Sequence, residues 1–141
     1  MKEFYDAAEQ FRDLIITTPK NSLPVTLHNF PNGSCGDASL LLGHHLTELG
    51  LGEFRYYLGW RDGSSHAWLR SGSVIIDVTA SQFDDFGDPV FVSDQSSWHE
   101  SFAGSDKHAA NLTVFGEPTT SMLRHAYAAI LDSASSDSPK I

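Results

Sequence analysis

A chain of 141 residues with 40% hydrophobic side chains, including three Trp, four Tyr and nine Phe, can bury one core without metal or disulfide staples. Nine Lys and Arg against eighteen Asp and Glu give a net charge of −9 with no basic block, a field that repels phosphate backbones and argues against a nucleic-acid partner. The single cysteine excludes an internal disulfide, and no apolar run approaches the roughly 18 residues of a membrane-spanning helix.

The opening MKEFYDAAEQF carries acids where a secretory signal is basic, and no apolar stretch follows. The expected compartment is the cytoplasm, with delivery into another cell by a signal-less route left open. Residues 2–17 place Phe4, Tyr5, Ala8, Phe11, Leu14 and Ile15 at helical spacing, and Thr17, Thr18 and Pro19 close the run. Residues 19–34, broken by Pro24, Pro31 and Gly33, form an irregular approach. A helix is expected over 35–49, where Leu40, Leu41, Leu42, Leu46 and Leu49 recur and Gly50 is the stop.

Three β-like runs follow at 54–60, 65–70 and 74–80, with turn residues between them that favour an antiparallel meander. Beyond Ser81 the pattern weakens. Asp84, Asp85 and Asp88 suggest a solvated loop, 89–92 and 111–115 short strands, and 118–131 a closing helix with Met122, Leu123, Tyr127, Ile130 and Leu131 inward. The expected class is α+β, with one helix packed on a small antiparallel sheet. It forms a single domain over 1–132, and a polar flexible tail is expected over 133–141.

Cys35 stands where the Gly33-Ser34 loop turns into the leucine-rich helix. A thiol there faces unpaired backbone N–H groups and the positive end of the macrodipole, which favours the nucleophilic thiolate. Such a nucleophile needs a base, and the base needs an orienting partner. His66 sits inside the second strand beside Ala67 and Trp68, where a polar ring has little packing reason to be. Asp77 interrupts the apolar run VIIDV, a costly place for a carboxylate unless it is paired. The two strands are joined by a short turn, so His66 and Asp77 can share a sheet face, with the Cys35 helix packed against that face.

These motifs, GSCGDASLLLGHHLTELG, a strand ending in Gly59-Trp60, HAWL and IIDVT, resemble the core of the transglutaminase-like group of papain-like cysteine enzymes. The resemblance spans residues 29–83 and rests on Gly33/Cys35, His66/Ala67/Trp68 and Asp77/Thr79. It implies Cys35 as nucleophile, His66 as general base and acid, and Asp77 as the orienter of His66. The implied chemistry is acyl transfer from an amide of a protein, peptide or small substrate, without a cofactor. Two departures stand out. The Cys35-to-His66 interval is short for this group, which implies loss of a substrate-binding loop, and Arg70 occupies a place where many members carry an acid.

For the oxyanion, the Cys35 N–H is the first expected donor, with the side-chain amide of Asn29 or Asn32 as a second. Trp68 is expected in the core or as a cleft wall. No metal site is expected. His44 and His45 are helical neighbours about 100° apart, and neither His-x3-His nor Cys-x2-Cys spacing occurs. The acids at 84–88 lack EF-hand spacing, and no Gly-x-Ser-x-Gly elbow supports serine catalysis.

Peptidase, amidase or glutamine deamidase chemistry is favoured over cross-linking, because a small domain has little room for both an acyl donor and an amine acceptor. An acyltransferase of the arylamine N-acetyltransferase sort ranks lower because its Arg-Gly-Gly-x-Cys approach is missing. The non-enzymatic alternatives are a binding module with an inert, packed Cys35, or a regulatory partner that docks through the aromatic-rich segment 83–102. Those aromatics are otherwise expected as core or as a lid.

Overall fold

The computed structural model describes residues 1–136. The first apolar period forms helix α1 (Lys2–Thr17), which buries Ala7, Ala8, Phe11 and Ile15. It ends where Thr18 turns extended and returns its backbone N–H to the Leu14 and Ile15 carbonyls. Helix α2 (Cys35–Glu48) buries Ala38, Leu40, Leu41, Leu42 and Leu46. It closes as a Schellman motif: Gly50 takes φ +78°, Leu51 N–H bonds the Leu46 carbonyl, and Gly50 N–H bonds that of Thr47.

The expected meander is present as β1 (Arg55–Arg61), β2 (Ser64–Ser71) and β3 (Val74–Asp77), all antiparallel. Asp62 and Gly63, both with positive φ, make the two-residue turn between β1 and β2 that matches strand twist. Two edge strands complete a five-stranded sheet of order β4-β3-β2-β1-β5, with β4 at Phe91–Ser93 and β5 at Ser105–Ala109. Helix α3 (Ser97–Glu100) lies between them in sequence, and α4 (Thr119–Ser136) closes the chain. The fold is α+β, with α2 packed on β2. No helix of the described residues is long and apolar enough to cross a membrane.

Four expectations are corrected. The strand expected over 74–80 ends at Asp77, because the Asp77 carboxylate captures the N–H groups of Thr79 and Ala80 and the chain turns into a 3-10 segment. No strand forms over 111–115; the Asn111 side chain takes the Thr113 N–H and hydroxyl in a turn. The fifth strand is instead the polar SDKHA, whose charges suit a sheet edge and hide it from a search for apolar alternation. In α4 the inner stripe is Leu123, Ala126, Ile130 and Ser133, while Met122 and Leu131 are exposed. The helix continues through residues expected to be tail, and the Ser133 hydroxyl meets that of Thr17 at 2.7 Å. Residues 137–141 lie outside the described residues.

The sheet is covered on both faces. On one, α1, α2 and α4 close an aliphatic core with Ala67, Leu69, Ile76 and Val78. On the other, Trp68, Ile75 and Phe102 pack with Tyr57, Phe83, Phe91 and Trp98. Segment 83–102 therefore supplies the second layer of core.

Candidate functional site

Strand alternation decides where the histidine points. Ala67 and Leu69 go toward α2, so His66 and Trp68 go the other way, and the His66 ring lies 5.1–5.7 Å from Phe83, Trp98, Phe102 and Trp68. The expectation that the Cys35 helix covers the His66 face is thus corrected: its leucines pack on the opposite face. Cys35 is the first residue of α2 and half-buried, at the helix end and not on the packed stripe.

His66 and Asp77 pair as the sequence implied. His66 Nε2 lies 2.6 Å from Asp77 Oδ2, with both residues at most 2% exposed. The other carboxylate oxygen accepts the backbone N–H groups of Thr79 and Ala80, each at 2.9 Å. A partner that the sequence did not reveal completes the group. His99, on α3, places Nε2 at 2.7 Å from the same Asp77 Oδ2. The Ser96 hydroxyl oxygen accepts the His99 backbone N–H, so its proton is free to donate to His99 Nδ1 at 2.6 Å. That assignment leaves the His99 Nε2–H to donate to Asp77.

The electrostatics follow from these contacts. Burial opposes a charged His66 more than any other single influence. The Asp77 charge and hydrogen bond, with smaller contributions from the Cys35 thiol, outweigh it and push His66 up to about 9. Burial likewise opposes ionisation of Asp77, but His66 and then His99 hold the carboxyl well below its usual range. An ionised carboxylate with four donors is the expected buried form.

Gln82, also unforeseen, links the cysteine loop to the histidine. Its Oε1 accepts the Gly33 N–H at 3.3 Å, and its Nε2 stands 3.4 Å from His66 Nδ1. That second contact is long, so Nδ1 remains available for proton exchange. At the helix start, the Ser34 hydroxyl donates to the Thr26 and Asn32 carbonyls, and no side chain caps the first turn of α2.

Asn29 and Asn32 line a cleft of about 420 Å³ walled by Ile15, Leu23, Leu27 and Phe30. Trp68 is core, pressed against Gly104, and it also walls a cavity of about 180 Å³ beside His99. His45 hydrogen-bonds Tyr127 and stacks on Phe11, so it ties α2 to α4 and α1; burial lowers its pKa.

His66, Asp77 and His99 also have the composition of a metal-ligand set, with one atom from each within 4.8 Å of the others. The geometry favours protons. Ligands about 2.0–2.2 Å from a tetrahedral ion stand roughly 3.3 Å apart, whereas both nitrogens here are in direct hydrogen-bond contact with one oxygen, at 2.6 and 2.7 Å.

A strap holds this layer down. The Arg61 guanidinium pairs with Asp85 at 3.1 Å, donates to the Ser101 hydroxyl and lies 4.4 Å from the Phe102 ring centre. Little in the sequence announced His99, apart from the N-cap serine three residues before it in a segment rich in aromatics. Compared with known protein families, curated proteins and solved structures, the chain matches none.

Proposed function

We propose that this chain is a cysteine-dependent acyl-transfer enzyme of the transglutaminase-like, papain-like type, acting on an amide bond through Cys35, His66 and Asp77. The observation that carries the reading is the engagement of His66 Nε2 by Asp77, which leaves Nδ1 as the ring nitrogen for the thiol at the head of α2. In this reading the Cys35 sulfur attacks the carbonyl carbon, and the thiol proton resides on His66 Nδ1. As the tetrahedral intermediate collapses, Nδ1 gives that proton to the leaving amine and a thioester remains on Cys35. Water, deprotonated by Nδ1, then releases the acid and restores the thiol. Peptidase, amidase and glutamine deamidase reactions all use these steps.

Asp77 acts as orienter and counter-charge, and His99 with Ser96 fixes Asp77 in turn. A His66 that holds its proton at neutral pH is a ready acid for the amine.

Iodoacetamide alkylation followed by intact mass tests the reading without a known substrate, because Cys35 is the only thiol and every adduct reports it. At pH 6 the wild type should alkylate about 10-fold or more faster than His66→Ala, with Asp77→Asn between them. Circular dichroism would confirm that each variant is folded, and His66→Gln replaces the alanine variant if it is not. A wild-type rate equal to that of His66→Ala, both matching free cysteine, would sink the enzyme reading and leave a binding module.

A further inference from the structure

Tyr56 projects from β1 into the aliphatic face that α2 covers, opposite Leu69 in the ladder. Its ring stacks on His108 of β5, with centres 4.6 Å apart and planes 16° from parallel, so the phenol has little freedom to swing. Its hydroxyl reaches the first turn of α2, where a Cβ on Gly36 would lie 3.3 Å from it. No protein group among the described residues hydrogen-bonds that hydroxyl, which keeps some access to solvent. A rigid, otherwise buried phenol with a free O–H beside the residue that follows Cys35 calls for a role.

We infer that the Tyr56 O–H donates to the oxyanion formed when Cys35 attacks an acyl carbonyl, beside the backbone N–H groups at the head of α2. The inference rests on the reading of Cys35 as nucleophile. The S–C bond forms as the carbonyl π pair moves onto oxygen, and Tyr56 shares its proton with that oxygen without releasing it. On collapse the C=O bond re-forms and the leaving group departs with the proton from His66.

The arrangement around the thiol suits this division of labour. His66 belongs to the aromatic face of the sheet and Tyr56 to the aliphatic face. In this assignment base and oxyanion donor approach the head of α2 from opposite faces of the sheet. Burial, and then the charges of Cys35 and Asp37, push Tyr56 up to about 12, so its donor proton persists throughout the neutral range.

The test separates a reaction that builds an oxyanion from one that does not. p-Nitrophenyl acetate acetylates Cys35 through a tetrahedral intermediate, whereas iodoacetamide alkylates it by direct displacement. In Tyr56→Phe, acetylation should slow by about 100-fold while alkylation stays within about twofold of wild type. Gly36→Ala supplies a second variant that favours the helix and displaces the hydroxyl. It should slow acetylation when Tyr56 is present and add nothing to Tyr56→Phe. Equal acetylation of wild type and Tyr56→Phe would remove Tyr56 from the reaction while leaving Cys35 as nucleophile. Parallel loss of acetylation and alkylation would mark Tyr56 as structural only. A wild type with neither reaction enhanced over free cysteine would overturn the nucleophile reading and this inference with it.

Discussion

On one face of the sheet, α1, α2 and α4 close over leucines and alanines, where a side chain need only be apolar and of suitable volume. On the other, aromatic rings enclose two histidines that share one carboxylate, while the buried indole N–H groups of Trp68 and Trp98 find no acceptor among the described residues. The first face is held by area removed from water, which is non-directional and tolerant of small shifts. The second depends on geometry, because one lost partner orphans several polar groups at once. The difference separates two kinds of order: the aliphatic face gives α2 a platform, and the polar face holds one buried carboxylate between two histidines.

The largest expected break is Asp77→Ala. It strips the acceptor from His66, His99 and two backbone N–H groups, and should cost about 3–5 kcal/mol in urea denaturation. On the opposite face Leu41→Ala leaves a cavity and should cost about 2–5 kcal/mol. The two losses are of similar size, and pH tells them apart. His66 gains its partner on folding and is raised from 6.5 to about 9. Its contribution is therefore complete below pH 6.5 and is lost as the pH rises through about 9. The stability gap between wild type and His66→Gln should narrow by about 1–3 kcal/mol across that window. The gap for Leu41→Ala should stay level; if it narrows equally, the distinction between the faces fails. Asp77, held low, acts in the opposite sense: its contribution is present above its ordinary value of 3.8 and is lost as acid protonates it.

Glycines sharpen the comparison at a smaller scale. A Cβ on Gly59 would run into the Phe102 carbonyl, and one on Gly43 would meet Ala110 Cβ at 2.6 Å. Each substitution to alanine should destabilise by about 1–3 kcal/mol, the usual range for overpacking. Only Gly59→Ala should also slow Cys35 alkylation, because Phe102 packs on His66. Arg61→Met should cost about 1 kcal/mol, and amide exchange should rise over 83–102 while remaining unchanged in α1 and α2. The smallest expected effect is none: zinc or EDTA should leave the melting temperature within about 1 °C. A zinc-induced rise of several degrees would replace the hydrogen-bond account of His66, Asp77 and His99 with a metal one.

The pattern of residues was itself enough to specify α1, α2 with its glycine stop, and the three-stranded meander. Each depends on local periodicity and turn chemistry: LLL at helical spacing, Asp62-Gly63 between strands, and alternation within SHAWLR. The pairing of His66 with Asp77 was legible for the same reason, since a polar residue in each of two neighbouring apolar strands has few other ways to be satisfied. Tertiary structure decided the rest. His99 and Gln82 reach the site from segments without regular pattern, and β5 hides its strand character under the charges of an edge. Tyr56 reaches the first turn of α2 from a strand whose alternation marks only which way it faces. Periodicity reports which side of an element is dry, whereas which donor meets which acceptor depends on how separate elements cross.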